Sequence, residues 1–583
     1  LVMKKNFLLF VLLVLAGRMS AEEFEVDRFT YKVLTDNTVE VSSYNSGALL
    51  DIEIPSSVTN NGTKYSVTSI GDYAFSGCGS LTSITVPNSI VSIGNGTFNY
   101  CNGLTFFSLP ESVTSIAGNA FAGCSKLASF ELDGTNTEFS VVDGVLFNKE
   151  KDILLIYPAG KGTGYTIPEG TVEIGEFAFS ESAMLTDIEF AGTLVKIGDA
   201  AFSKCAGLTE VNLPVSLISI GDKAFNGCKG IVSVSISKAV SSIGKSAFIN
   251  CSQLMAVTVD PENMDYSSLN GVLYDKQQTT LLLYPKGKGD NYDIPVSVNA
   301  IGDYAFYGTN LTSVTFSKSI VSIGAYAFAD CSDLSELNLP EDLEIIGDDA
   351  FEYCTGLEKL VLPDKVRIIG KYAFMSCQSL KEVTISENAE EVGRNAFWGC
   401  KKLESIVIPD KVTMIGDAAF GSCRGLIEVT LGVKVDTIGS MAFSSCSDLM
   451  VVNSRNPEPP VCAAEDIFDG NESVMTLHIP EDSDEQYKDA LVWKNFKEII
   501  ADLEKPAPDS MVGLETRASL IVDSSKNGCV VLISNKEQTV CVYDVNGKMV
   551  RSQMLGKGMN ELALADGIYI IKGDSDSLKV IVR

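Results

Sequence analysis

The sequence predicts a β-rich α/β solenoid: an array of 23-residue coils closed by end caps, followed by a small all-β, sandwich-like C-terminal domain. Three observations carry that expectation. The hexapeptide IGDYAF at 70–75 returns at 301–306. Phenylalanine keeps a period, at Phe75, Phe98 and Phe121, at Phe179, Phe202, Phe225 and Phe248, and at Phe306, Phe328, Phe351, Phe374, Phe397, Phe420 and Phe443. The steps are 23 residues except for one of 22 and two of 58. A fixed period of this size marks a solenoid, because one coil cannot bury its apolar stripe alone whereas stacked coils share it.

The elements follow in chain order. Residues 1–21 read as a secretory signal peptide, with Lys4 and Lys5 as the charged region, Phe7 to Ala16 as the apolar core, and Ser20-Ala21 as a small-residue cleavage site. Translation is expected to start at Met3, and Arg18 stands where a lipoprotein would need Cys. The apolar run is too short to span a bilayer, and no later segment is long enough. In each repeat a strand is expected at phrases such as LTSITVP, where Leu81, Ile84 and Val86 face inward and Ser83 and Thr85 outward. In GDYAFSGC, Ala74, Phe75 and Cys78 have three- and four-residue spacing, which predicts a short helical turn.

The two steps of 58 are copies of each other. FSVVDGVLFNKEKDILLIYPAGKGTGYTIP at 139–168 matches YSSLNGVLYDKQQTTLLLYPKGKGDNYDIP at 266–295 at an offset of 127, so a block of about that length was duplicated. Both enlarged coils read as β-hairpins around DGV or NGV. They are either elaborated structural coils or ligand loops bearing Lys161, or Lys286 and Lys288.

Composition narrows the function. The chain carries 45 basic and 75 acidic residues, a net charge of −30, which disfavours nucleic acid or anionic lipid as the main partner. A single histidine, His478, removes most general acid–base and metal chemistry, and it reads as a structural residue. Twelve of the fifteen cysteines sit three residues after a repeat Phe: Cys78, Cys101, Cys124, Cys205, Cys228, Cys251, Cys331, Cys354, Cys377, Cys400, Cys423 and Cys446. Ser182 and Thr309 fill the slot elsewhere, so it takes a small side chain and the thiols are expected to be free and buried. No catalytic set, phosphate loop, metal site or cofactor site is expected.

The unit IGxxAFxxCxxL resembles the BspA-like leucine-rich repeat of surface proteins from Bacteroidetes, over about 67–500. On that resemblance residues 22–66 form an N-terminal β cap, 67–454 the leucine-rich-repeat array, and 455–502 the closing cap, with Trp493 and Phe496 covering the last coil. Residues 503–517 are a linker. The tail at 518–583, with CVVLIS, TVCVYD, an Asn546-Gly547 turn and GIYIIKG, resembles the sorting domain of type IX secretion substrates, which would engage that secretion machinery. Cys529 and Cys541 are expected in neighbouring strands, either paired or in diagonal register.

The outward strand positions form two columns, and these are the candidate ligand-binding face: Ser83, Thr85, Phe106, Glu131, Asp187, Glu189, Glu210, Asn212, Glu336, Asn338, Glu382 and Glu428. Solenoids bind ligands on such a face, and the stretch from Glu131 to Glu210 is acidic enough to steer a basic partner. The other reading is a soluble outer face with no ligand. The resemblance implies a secreted or cell-surface adhesin, attached to the outer surface of a Gram-negative bacterium. Its protein ligand would be a host matrix protein such as fibronectin or fibrinogen, or a bacterial surface protein. The alternative is a structural or polysaccharide-binding envelope scaffold; neither reading involves catalysis.

Overall fold

The computed structural model describes residues 22–35, 37–45, 50–469 and 471–506, and in the tail the segments 520–526, 529–534, 538–544, 549–555, 558–564, 567–572 and 577–582. The signal-peptide region, the 507–519 stretch and the Asn546-Gly547 pair lie outside the described residues. The chain forms two compact units, Leu1–Gln277 with Tyr284–Lys288, and Gln278–Leu283 with Gly289–Arg583.

In the first unit, Glu23–Val26, Phe29–Thr35 and Thr38–Tyr44 pair antiparallel, and Thr38–Tyr44 then pairs parallel with Thr63–Ile70. From Ile70 onward the ladder passes to Ser92–Ile93 and Ser115–Ile116, all parallel and one coil apart. The opposite side of the coils builds the second set of parallel strands, including Asp51–Glu53 with Ser83–Thr85 and Phe106–Pro110 with Ser129–Asp133. The same two-sided pattern resumes after the first enlarged coil, in Gly164–Thr166 with Asp187–Glu189 and in Glu173–Ile174 with Lys196–Ile197. The second unit repeats it from Asn291–Asp293 with Ser313–Thr315 to Glu428–Leu431 with Val451–Ser454.

The turn joining the two strand sets differs from the helical turn expected at GDYAFSGC. Ser76 N–H bonds to Tyr73 O at 3.0 Å and Cys78 N–H to Phe75 O at 3.1 Å, so these are successive four-residue turns. Tyr73 (φ 59°) and Gly77 (φ 76°) are left-handed, which breaks any helix after one turn. Phe75 N–H meanwhile bonds to Thr97 O of the next coil at 2.9 Å. Cross-coil bonding has replaced the intrahelical ladder, because stacking offers every turn a partner at each coil. Among the described residues the α-helix is confined to six residues, Asp484–Asp489.

The core is the phenylalanine ladder. In the first unit Phe202–Phe225 and Phe225–Phe248 have centroids 5.1 and 5.3 Å apart with rings within 3° of parallel. In the second, the stack runs from Phe306–Phe328 at 4.6 Å to Phe420–Phe443 at 5.5 Å. It then gains a rung the motif did not reveal, Phe468, 5.5 Å from Phe443. Phe468 meets Trp493 and Phe496 edge-on, at 6.2 and 5.5 Å, and these two close the stack.

Both enlarged coils are hairpins, as the sequence implies: Phe139–Val142 with Val145–Asn148, and Tyr266–Leu269 with Val272–Asp275. Their turns, Asp143-Gly144 and Asn270-Gly271, have positive φ at both positions, the geometry a two-residue hairpin loop favours. The duplication is exact enough to keep its polar braces. Asn136 bonds through Nδ2 to Val113 O (2.9 Å), and its counterpart Asn263 to Val240 O (2.8 Å). The tail strands form a three-stranded sheet, Leu520–Lys526, Cys529–Ser534 and Gly558–Ala563. A four-stranded sheet holds Met549–Leu555, Gln538–Asp544, Gly567–Lys572 and Ser577–Val582. Cys529 and Cys541 thus lie in different sheets rather than on neighbouring strands, and Cys541 is a free thiol.

Candidate ligand-binding face

The strand alternation sets the face: with one side of each three-residue strand committed to the core, the first and third side chains point out. In the first unit this aligns Ser83 with Asp51 and Thr85 with Glu53. Phe106 aligns with Ser129, and Ser108 with Glu131. Phe106 stands 47% exposed, beside the buried Phe107. Past the enlarged coil, Asp187 and Glu189 align with Gly164 and Thr166, and Glu210 and Asn212 flank the isolated bridge Val211–Val234. The enlarged coil separates Glu131 from Asp187, so the acidic run is two groups and not one stripe.

These carboxylates are exposed, and no lysine or arginine among the described residues pairs with Glu131, Asp187, Glu189 or Glu210. Their contacts are neutral; Thr166 Oγ1, for example, donates to Glu189 Oε2 at 3.1 Å. Asp187 and Glu210 are 23 positions apart, but Glu210 lies outside the two-stranded ladder that joins Asp187–Glu189 to Gly164–Thr166.

In the second unit the columns hold Glu336, Asn338, Glu382 and Glu428. Here Lys359 pairs with Glu382 at 2.7 Å, and the neutral Asn453 Nδ2 donates to Glu428 Oε1 at 2.6 Å. The segment 335–339 carries no strand, whereas Lys359–Val361 pairs onward with Glu382–Thr384. The interruption leaves a cavity of about 610 Å³ lined by Glu336, Asn338, Lys359 and Val361 among others. Two residues chosen only as outward positions thus line a concave site.

The repeat profile described as the BspA-type leucine-rich repeat region matches in six copies, over residues 37–148, 161–270, 287–367 and 344–458. The chain belongs to this family. Solved structures similar to it include a leucine-rich cell surface protein of Faecalibacterium prausnitzii (24% identity, covering 75% of this chain and 95% of that one, TM-score 0.32). Others are leucine-rich repeat proteins of Eubacterium ventriosum (20%, 72% and 94%, TM-score 0.43) and Bacteroides ovatus (26%, 74% and 94%, TM-score 0.31). No curated protein matches the chain. Among the described residues no helix is long and apolar enough to cross a membrane.

In this BspA-type array the cysteine slot does more than fill space. Every ladder thiol after Cys78, which is only half-buried, reaches back to the carbonyl of the Phe one coil earlier: Cys205 Sγ to Phe179 O at 3.0 Å, Cys354 Sγ to Phe328 O at 3.2 Å. Burial pushes the thiols up, Cys124, Cys251 and Cys377 to about 12, so none is a thiolate near neutral pH. Folded protein titrated with a thiol reagent at pH 8 is therefore expected to leave the buried ladder cysteines unmodified. Denatured protein should release all fifteen.

The remaining candidates take structural places. Lys161 Nζ pairs with Asp143 at 3.0 Å, and Lys288, its counterpart in the second copy, donates to Asn270 O, so both lysines staple the hairpin turn. His478 Nδ1 lies 2.9 Å from Asp502 Oδ1, with a strand register aligning it with Asn453.

Reading strand positions alone misses a carboxylate group on the turn side. Asp330, Asp349 and Glu352 come together there with Tyr326 and Tyr307, because positions 22 or 23 apart are neighbours in the stack. Burial, then Asp349 and Asp330, push the Glu352 carboxyl up to about 7 from 4.5. Its protonated form is favoured in the fold, so its stabilising effect is complete below about 4.5 and is lost as pH rises through about 7. Stability measured across that window is expected to fall in the native chain and to fall less in Glu352→Gln, which carries no charge at either end.

Proposed function

We propose that the chain is an exported, cell-surface or secreted binding protein, an adhesin that engages host or bacterial surface proteins through the outer strand face and performs no catalysis. The observation carrying this reading is a set of exposed carboxylates with no lysine or arginine partner among the described residues: Glu131, Asp187 and Glu189 on parallel ladders, and Glu210 beside the Val211–Val234 bridge. Exposed carboxylates without cationic partners favour a ligand with basic segments. The 518–583 tail, as a sorting domain for type IX secretion, would place the array outside the cell.

The test is saturable binding of the purified chain to immobilised fibronectin, fibrinogen and a neutral-glycan panel. Saturable binding to a protein supports the adhesin. Binding to neutral glycans alone, or to nothing, favours a structural or glycan-associated envelope scaffold.

A further inference from the structure

The second unit carries a charge inversion in an otherwise acidic chain. The turns that follow the outer strands place Lys365, Asn388, Lys411 and Lys434 at successive 23-residue positions. Two residues after Lys365 comes Arg367. Its N–H bonds to Glu344 O at 3.0 Å, while its own carbonyl accepts from Glu390 N at 3.3 Å. A second column, Glu344, Arg367 and Glu390, therefore runs beside the first. Between the columns lies a cavity of about 440 Å³ lined by all seven side chains. Four are cationic and two anionic, a local balance of +2 by count, against −30 for the whole chain.

The partners of these cations are unequal. Lys365 pairs with Asp342 at 2.5 Å, and Arg367 with Glu390 at 3.1 Å. Lys411 has only the neutral Asn388 Oδ1, which is held in place because Asn388 Nδ2 donates to Asp364 O at 2.7 Å. Lys434 is half-buried and has no hydrogen-bond or ion-pair partner among the described residues. The neighbouring Asp410 is taken by Arg455 at 3.0 Å and by the N–H of Val433 at 3.2 Å. Two ammonium groups one repeat apart thus line a cavity whose two carboxylates, Glu344 and Glu390, pair with neither of them.

We infer that this cavity is a binding site for an acidic saccharide, a sugar segment carrying carboxylate or sulfate groups. The anionic substituent meets Lys411 and Lys434. The ring hydroxyls donate to Glu344 and to the oxygen of Glu390 that Arg367 does not hold, since a carboxylate only accepts. An acidic peptide fits less well: it carries a carboxylate on every side chain and no hydroxyl donors for Glu344 and Glu390. No aromatic side chain lines the cavity, so a neutral sugar would have no ring face to stack on. The volume lies within the ~300–1,000 Å³ usual for small-ligand sites. The acidic remainder of the chain does not forbid it, because exposed charges beyond about 8 Å are largely screened at physiological salt. This site is separate from the acidic strand face in the first unit and does not depend on its role.

Titration calorimetry on the full chain tests the inference with four probes: a heparin tetrasaccharide, a tetragalacturonate, maltotetraose and a tetraglutamate peptide. Binding of either acidic saccharide is expected, with the heparin arm alone indicating sulfate recognition and both arms indicating carboxylate. The double variant Lys411→Gln/Lys434→Gln should bind at least ten-fold more weakly. Lys223→Gln/Lys229→Gln, the same charge change at exposed positions in the other unit, should bind within two-fold of the native chain. Three results would overturn the proposal: no acidic-saccharide binding, binding indifferent to the double variant, or maltotetraose or tetraglutamate binding as tightly.

Discussion

Phe374→Ala is expected to destabilise the second unit by about 3–5 kcal/mol, the range for deleting a fully buried aromatic ring. Phe374 lies between Phe351 and Phe397, with centroids 5.2 and 5.4 Å away and rings within 7° of parallel. Its backbone also bonds forward, N–H to Ala396 O at 2.7 Å, so the coil has little freedom to collapse into the gap. Because each coil contacts only its neighbours, the loss falls on two interfaces at once and splits the cooperative stack at its middle. Urea unfolding should show a lower midpoint and a broader transition. Phe106→Ala removes an equally large ring from the exposed face and should shift stability by about 0.5 kcal/mol or less. Equal effects of the two changes would contradict the ladder as the source of stability.

Trp493→Ala is expected to have an effect of similar size, about 3–5 kcal/mol, but confined to one end. Trp493 is fully buried, packs edge-on against Tyr487 at 5.5 Å and Phe468 at 6.2 Å, and donates Nε1–H to Pro460 O at 2.9 Å. Truncation removes that packing and leaves a buried carbonyl unpaired. Trp493→Phe keeps most of the packing and should lose only about 1–2 kcal/mol. Hydrogen exchange in the alanine variant should quicken across 428–503 while the coils around Phe328 to Phe374 keep their protection. Uniform loss of protection would mean that 467–499 is not a local cap.

The Phe and Cys ladders were legible because every coil solves the same packing problem, whereas the strand columns lapse at Glu210, Asn212, Glu336 and Asn338, which lie outside any strand. A residue type that must recur writes itself into the period. Phe468 was not legible: it follows Phe443 by 25 residues, and IFDG lacks the AFxxC setting. The helical turn was misread because Ala74, Phe75 and Cys78 share spacing with a helix face; the left-handed Tyr73 carries no sequence signal, and Gly77 carried the only hint. The thiol-to-carbonyl bonds needed coordinates, since composition says only that the slot is small. The carboxylates at Asp330, Asp349 and Glu352 could have been found by reading columns on the turn side as well as the strand side. The Lys411–Lys434 row was visible in the period, yet its cavity and the lack of an ion pair at either lysine among the described residues were not.

The measurement that tests the central claim most directly compares the native chain with the variant Glu131→Ser/Asp187→Ser/Glu189→Ser/Glu210→Ser in binding to whichever of fibronectin or fibrinogen the native chain retains. The comparison is run at low and high salt. Removing four exposed charges leaves the core untouched, so both proteins should unfold at the same urea midpoint. The account predicts salt-sensitive binding by the native chain and at least ten-fold weaker, salt-insensitive binding by the variant. Equal affinity and equal salt dependence in the two proteins would contradict a ligand face built on those carboxylates.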